Sequence, residues 1–177
     1  MEGASCASER SPSGGPSIPA KRSTTESLLV DTNILLEATD EKREFHAICV
    51  DLLESRPGLR AASQVIREYI AVATRPVAAN GLGLSVSDAL ENVRAFRSSL
   101  RLLPEEKPVL PTFLSLLEEV PCQGKHVHDA NLIATALVHR VRAIVTLNPR
   151  DFAPFAARIK TIEPADVGRT TQIGHQK

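Results

Sequence analysis

From Leu28 onward, short apolar runs alternate with stretches whose apolar residues recur at helical spacing. Leu28, Leu29 and Val30 form a run with no polar face, the pattern of a buried strand. Over residues 44–55, Phe45, Ile48, Cys49, Leu52 and Leu53 recur at helical intervals, and Pro57 and Gly58 close the predicted helix. Leu59–Ala62 reads as a second strand. Ser63 is a candidate N-cap for a helix over 63–74, which ends ahead of Pro76. Val65, Ile66, Tyr69 and Ile70 lie on its apolar face. Asn80, Gly81, Leu82 and Gly83 read as a loop. Ser85 and Asp88 fit the capping box of a helix reaching about Leu100. Further strands are predicted over 101–103, 143–147 (the strongest in the chain) and 159–162, and further helices over 109–120 and 129–140. Strands alternating with helices imply a parallel sheet covered by helices, an α/β sandwich. In such open sheets ligands sit beyond the carboxyl ends of the strands, so chemistry is sought there.

Composition narrows the picture. The 177 residues suit one domain, and 21 Lys and Arg balance 21 Asp and Glu. Neutrality argues against a protein that grips nucleic acid through bulk positive charge, and 3% aromatic residues argue against a base-stacking platform. Three cysteines (Cys6, Cys49 and Cys122) with no CxxC pair argue against a disulfide framework or zinc ribbon. Cys49 and Cys122, like Tyr69 and Phe96, are expected in or near the core. No apolar run reaches the ~20 residues of a membrane span, and no signal-peptide pattern opens the chain, so a cytoplasmic protein without a membrane partner is expected. Residues 1–26 hold six Ser, three Gly and three Pro and few large apolar side chains. They read as a disordered tail, or equally as the product of a misplaced start codon. The folded body is placed at 27–167 and a short C-terminal tail at 168–177. The body carries 16 basic and 18 acidic residues, a net −2.

Four carboxylates occupy positions that this topology brings toward one sheet edge. Asp31 directly follows the first strand, Glu68 lies about one turn into the Ser63 helix, Asp129 opens a helix, and Asp151 follows the strongest strand. Each has an ordinary explanation as a cap, turn or surface residue. As a group they do not. Two like charges ~4 Å apart cost roughly 4 kcal/mol at an effective dielectric of 20. Protonation or a cation must relieve that cost. Hard oxygen donors select Mg²⁺ or Mn²⁺, and such a site suits hydrolysis of a phosphodiester by metal-activated water, with no Ser, Cys or His triad. A phosphatase of the haloacid-dehalogenase type would need an Asp where Asn33 stands. A response-regulator receiver would need a phosphoacceptor Asp and a Lys that have no convincing place here. No Gly-rich nucleotide loop occurs.

Four segments together resemble PIN-domain ribonucleases, and most closely the VapC-type toxins of type II toxin–antitoxin modules. They are Val30-Asp31-Thr32-Asn33-Ile34-Leu35, Ser63-Gln64-Val65-Ile66-Arg67-Glu68-Tyr69, His128-Asp129-Ala130-Asn131-Leu132-Ile133-Ala134 and Val145-Thr146-Leu147-Asn148-Pro149-Arg150-Asp151-Phe152. The first is weakly specific alone, whereas all four in order are strongly so, and they span about 28–164. The resemblance implies a PIN-like three-layer α/β/α sandwich with a central, mostly parallel sheet. It also implies an Mg²⁺-dependent endoribonuclease, with Mn²⁺ able to substitute. By position it makes Asp31, Glu68 and Asp129 the core acids and Asp31 and Asp129 the metal ligands. Asp151 is taken as the fourth acid. Asn148 is the competing occupant of that position and otherwise a polar helper. Thr32 and Thr146 are candidates to order metal waters.

As partners the resemblance implies RNA, a cognate antitoxin and a second copy of the chain in a homodimer. The helix over 109–120 is a candidate surface for such contacts, or equally part of the core. Arg67, Arg75, Lys125 and Arg150 are candidates to hold flanking phosphates. Each is singly better explained as a surface charge or carboxylate partner, and His126 and His128 as helix-entry residues. The alternative function is a PIN scaffold that binds RNA or protein without cutting. Neutrality then takes a different meaning: RNA would be attracted through cation-bridged phosphates, and not through a basic surface.

Overall fold

The computed structural model describes residues 27–167, so the tails expected over 1–26 and 168–177 lie outside the described residues. In chain order the elements are β1 (Leu28–Val30), α1 (Thr32–Thr39), α2 (His46–Ser55), β2 (Leu59–Ala62), α3 (Ser63–Ala73), α4 (Val86–Ser99), β3 (Arg101–Leu103), α5 (Val109–Glu119), α6 (His126–Val138), β4 (Ala143–Val145) and β5 (Lys160–Ile162). A 3₁₀ helix, Pro149–Phe155, links β4 to β5. All strands are parallel, in the order β3-β2-β1-β4-β5. All are short; the edge strands β3 and β5 begin with exposed Arg101 and Lys160, whereas the central β1 and β4 are apolar and buried along their whole length. That is what a sheet covered on both faces requires. The expected three-layer α/β/α sandwich is the observed fold. Among the described residues no helix is long and apolar enough to cross a membrane.

The strand order places the site. From β1 the chain steps to β2 and β3 on one side, whereas β4 and β5 lie on the other. The order reverses between β1 and β4, which pair directly, Val30 beside Val145. A crevice opens at such a switch point, because the connections leave the carboxyl ends in opposite directions. Asp31 and Thr146 are the first residues beyond those two strands.

The structure corrects several boundaries. α1 has no counterpart in the sequence reading, which left Asp31 in a strand-to-loop passage. Asp31 in fact caps α1, its carboxylate accepting the Thr32 N–H at 2.6 Å. Ser63 is the first residue of α3, not its cap, and its hydroxyl donates to the Leu103 carbonyl at 3.1 Å, joining α3 to β3. α6 starts three residues earlier than expected, at His126, so Asp129 stands inside its first turn. The Ser85 cap is present, accepting the Asp88 N–H at 3.1 Å.

Cys49 and Tyr69 are buried, and Cys122 is half-buried. α5 does both of the things considered for it. Val109 and Leu116 enter the core, while Leu110 and Leu114 remain 62% and 50% exposed. Tyr69 locks α3 between its neighbours. Its ring meets Phe96 of α4 edge-on, with centroids 5.3 Å apart. Its hydroxyl lies 3.0 Å from Thr39 Oγ1 of α1 and accepts from Asn92 Nδ2 of α4 at 3.0 Å. This fixes the helix that carries Glu68. Tyr69→Phe is expected to keep the fold and lose about 1 kcal/mol, since Asn92 Nδ2 loses its acceptor while Thr39 Oγ1 keeps its bond to the Leu35 carbonyl. Urea unfolding checks this, and an unchanged midpoint would count against the lock.

Candidate functional site

Asp31 is the most constrained of the four acids. It leaves a fully buried strand and has nowhere to turn but the crevice. One carboxylate oxygen caps α1. The other accepts from Thr146 Oγ1 at 2.8 Å and from Asn33 Nδ2 at 2.8 Å. Thr146 is fully buried, and its hydroxyl also accepts the Asn148 backbone N–H at 3.0 Å and Asn33 Nδ2 at 3.0 Å. The Leu147 N–H reaches Asn33 Oδ1 at 3.3 Å. The loop after β4 is thereby tied to the loop after β1 through one hydroxyl and one amide.

Glu68 comes to the same place from α3, held from two sides. Thr32 Oγ1 donates to its Oε2 at 2.9 Å and Gln64 Nε2 to its Oε1 at 2.7 Å, with His128 Nδ1 at 3.7 Å from Oε1. Thr32 and Thr146, expected to order metal waters, thus direct their hydroxyls to carboxylates. Asp129, its side chain 20% exposed, points Oδ2 at His126 Nδ1, 3.0 Å away. Asp151 sits in the 3₁₀ helix after β4, and Lys125 Nζ grips both its oxygens, at 2.9 and 2.8 Å. Asn148 takes part through its backbone N–H. Lys125, Asn148, Arg150, Asp151 and Glu163 line an open depression of about 430 Å³ beside the acids. Arg67 instead pairs with Glu105 at 3.4 Å, the surface role considered for it.

Electrostatics join the four acids. Burial pushes the Asp31 carboxyl up from 3.8 to about 6; the Thr146 and Thr32 hydrogen bonds oppose this, and the charges of Asp129 and Glu68 add to it. Burial also raises Asp129, opposed by the His126 hydrogen bond and reinforced by the charge of Asp151. Lys125 is raised by its hydrogen bond to Asp151. Asp31 and Asp129 therefore each feel other acids of the set. A buried carboxylate facing two more is costly by itself and becomes favourable once a cation is shared. All the donors are hard oxygens, as Mg²⁺ or Mn²⁺ prefers. In this respect the donor chemistry suits a divalent cation. Among the described residues no three His, Cys, Asp or Glu side chains converge into a ready ligand set. His126 and Lys125 are the groups a cation would displace.

The sequence reading missed three polar residues of this network: Asn33, Gln64 and Asn131. Gln64 lies four residues before Glu68, hence on the same helix face, and that spacing was the available signal. It is buried, and Asn131 Nδ2 donates to its Oε1 at 2.7 Å.

Comparison with known proteins follows from this geometry. The PIN domain family model matches residues 28–157. No match to a curated protein is found. Among solved structures, a toxin–antitoxin complex from Klebsiella pneumoniae shares 22% identity at TM-score 0.56, covering 78% of this chain and 98% of that one. VapC20 of Mycobacterium tuberculosis, described as a sarcin–ricin loop cleaving toxin, shares 14% identity at TM-score 0.57, over 75% of this chain and 96% of that one. DNA-bound VapBC from Salmonella typhimurium shares 19% identity at TM-score 0.56, over 78% and 98%.

The raised Asp31 pKa makes a stability prediction for the metal-free protein. The folded-state value, about 6, exceeds the ordinary 3.8. The acid therefore supports the fold fully below pH 4, and that support is lost as pH rises through 6. Asp31→Asn retains an acceptor for the Thr32 N–H and carries no charge, but turns an amide nitrogen toward the donor Asn33 Nδ2, a cost that does not depend on pH. In EDTA its stability relative to the parent is therefore expected to rise by roughly 2 kcal/mol between pH 4 and pH 7.5. Thermal midpoints across pH check this, and a difference that does not change with pH would refute it.

Proposed function

This chain belongs to the PIN domain family, and from that premise we propose that it is a divalent-metal-dependent endoribonuclease, the toxin of a toxin–antitoxin pair. The observation that carries the reading is the Asp31 carboxylate at the switch point between β1 and β4, pinned by Thr146 and Asn33 and raised by burial and by the charges of Asp129 and Glu68. Asp31 and Asp129 would hold the cation. A bound Mg²⁺ or Mn²⁺ supplies Lewis acidity and neutralises charge at the phosphodiester. The chain's own residues orient the donors. Thr146 and Asn33 fix the Asp31 carboxylate, and Thr32 and Gln64 fix that of Glu68. Asp151 completes the acidic rim and anchors Lys125 at the edge of the open depression, where Lys125 and Arg150 are placed for flanking phosphates. The antitoxin and a second copy of the chain are proposed partners, in keeping with the toxin–antitoxin complexes that share the fold.

The non-cleaving scaffold remains the second reading, because His126 and Lys125 already hold Asp129 and Asp151. It requires that no divalent cation displace them.

Asp31→Asn is expected to lower RNA cleavage in Mg²⁺ by ~10³-fold or more, a loss of several kcal/mol of charge stabilisation, while circular dichroism stays that of the parent. Cleavage at the parental rate would end the proposal. Because the chain is neutral, RNA affinity should depend strongly on divalent metal and only shallowly on monovalent salt. Filter binding across KCl concentrations measures this, and a steep logarithmic slope would indicate a basic surface instead.

A further inference from the structure

Gln64 holds Glu68 in a way that a charged residue could not. It is the second residue of α3 and only 8% exposed. Its polar atoms are fully engaged. Nε2 donates to Glu68 Oε1 at 2.7 Å and to the His128 carbonyl at 3.0 Å, and Oε1 accepts from Asn131 Nδ2 at 2.7 Å. Only one orientation of the amide is compatible with this. Turned over, its oxygen would face the Glu68 carboxylate and the His128 carbonyl, two acceptors with no proton to offer.

Two consequences follow. An Arg or Lys at this position would also orient Glu68, but would cancel its charge. The amide, with the Thr32 hydroxyl on the other carboxylate oxygen, orients Glu68 and leaves its full negative charge for a cation. The bonds to His128 and Asn131 also cross from α3 to the part of α6 that carries Asp129. One buried side chain therefore sets two acids from different helices against each other.

We propose that Gln64 is a positioning residue: it holds Glu68 and the Asp129 turn of α6 in register for a divalent cation while touching neither cation nor RNA. This rests on the metal-dependent reading above. Loss of a residue that orients metal ligands typically costs 10–100-fold in affinity or activity.

The test uses the full chain with Gln64→Met, alone and combined with Glu68→Gln. Three quantities are read: Mn²⁺ affinity by calorimetry, the metal-free thermal midpoint, and kcat and KM for RNA. Gln64→Met is expected to weaken Mn²⁺ binding about tenfold or more and to lower kcat by a similar factor at unchanged KM. In the Glu68→Gln background it should cost clearly less than in the parent, the remainder acting through the Asp129 turn of α6. If Gln64→Met unfolds at the assay temperature, Gln64→Asn, which keeps the amide and its neutrality but is one methylene too short to reach Glu68 and α6 together, carries the same expectation. Parental Mn²⁺ affinity, or a loss fully additive with that of Glu68→Gln, would overturn the proposal. A parent that binds Mn²⁺ without cutting RNA would end the nuclease reading, while the affinity comparison would still decide the role of Gln64. A parent that binds no Mn²⁺ would overturn both.

Discussion

The carboxylate of Asp31 is the constraint on which the rest of the site depends. It follows a strand with no exposed residue and is itself half-buried, held in the crevice by its hydrogen bonds. It caps α1 through one oxygen and joins the two loops of the switch point through the other. Those contacts fix its position but only partly offset its burial, which is why its pKa stays well above the ordinary carboxylate value. The fold therefore maintains a charge at a cost, at the one place where a parallel sheet opens to a ligand. A cost kept at such a point is characteristic of a functional site, where stability is given up for chemistry.

The other acids are arranged around that fixed point by neutral and cationic partners of different kinds. Glu68 is held by a hydroxyl and an amide, with His128 Nδ1 3.7 Å away. Asp151 is held by Lys125, which offsets its charge, and Asp129 lies against the His126 imidazole. The inner pair is thus pre-positioned by neutral donors, whereas Asp151 is paired with a cation at the rim. That division accounts for a set of acids that attract one another's counter-ions without forming a closed metal cage. It also reconciles a neutral chain with the anionic substrate proposed for it, since attraction can be local and cation-borne and need not be spread over the surface.

Much of this was legible in the sequence. The apolar runs at 28–30, 59–62 and 143–147 identified central strands, because a doubly covered sheet leaves no room for polar residues. The four acidic segments resembled those of the PIN family, and the family match and fold agree. The site roles of the individual acids remain proposals. What escaped was what depends on three-dimensional satisfaction of polar groups. α1 is short, and its cap is the same Asp that terminates β1, so a single residue carried two signals. The start of α6 was set too late because Lys125 and His126 look like loop residues until their carboxylate partners are known. Gln64 and Asn131 read as ordinary polar positions on amphipathic helices, and only the packing of α3 beside α6 makes their amides partners.

The central claim is that the acids at the β1–β4 switch point share a divalent cation. It is tested most directly by titrating metal-free, ¹⁵N-labelled full-length protein with Mn²⁺ and following paramagnetic broadening of the amide signals. The account predicts that residues 31–33, 68, 129 and 146 broaden first, at substoichiometric metal, and that Mg²⁺ in excess restores them. Broadening centred elsewhere, or none below millimolar Mn²⁺, would contradict it.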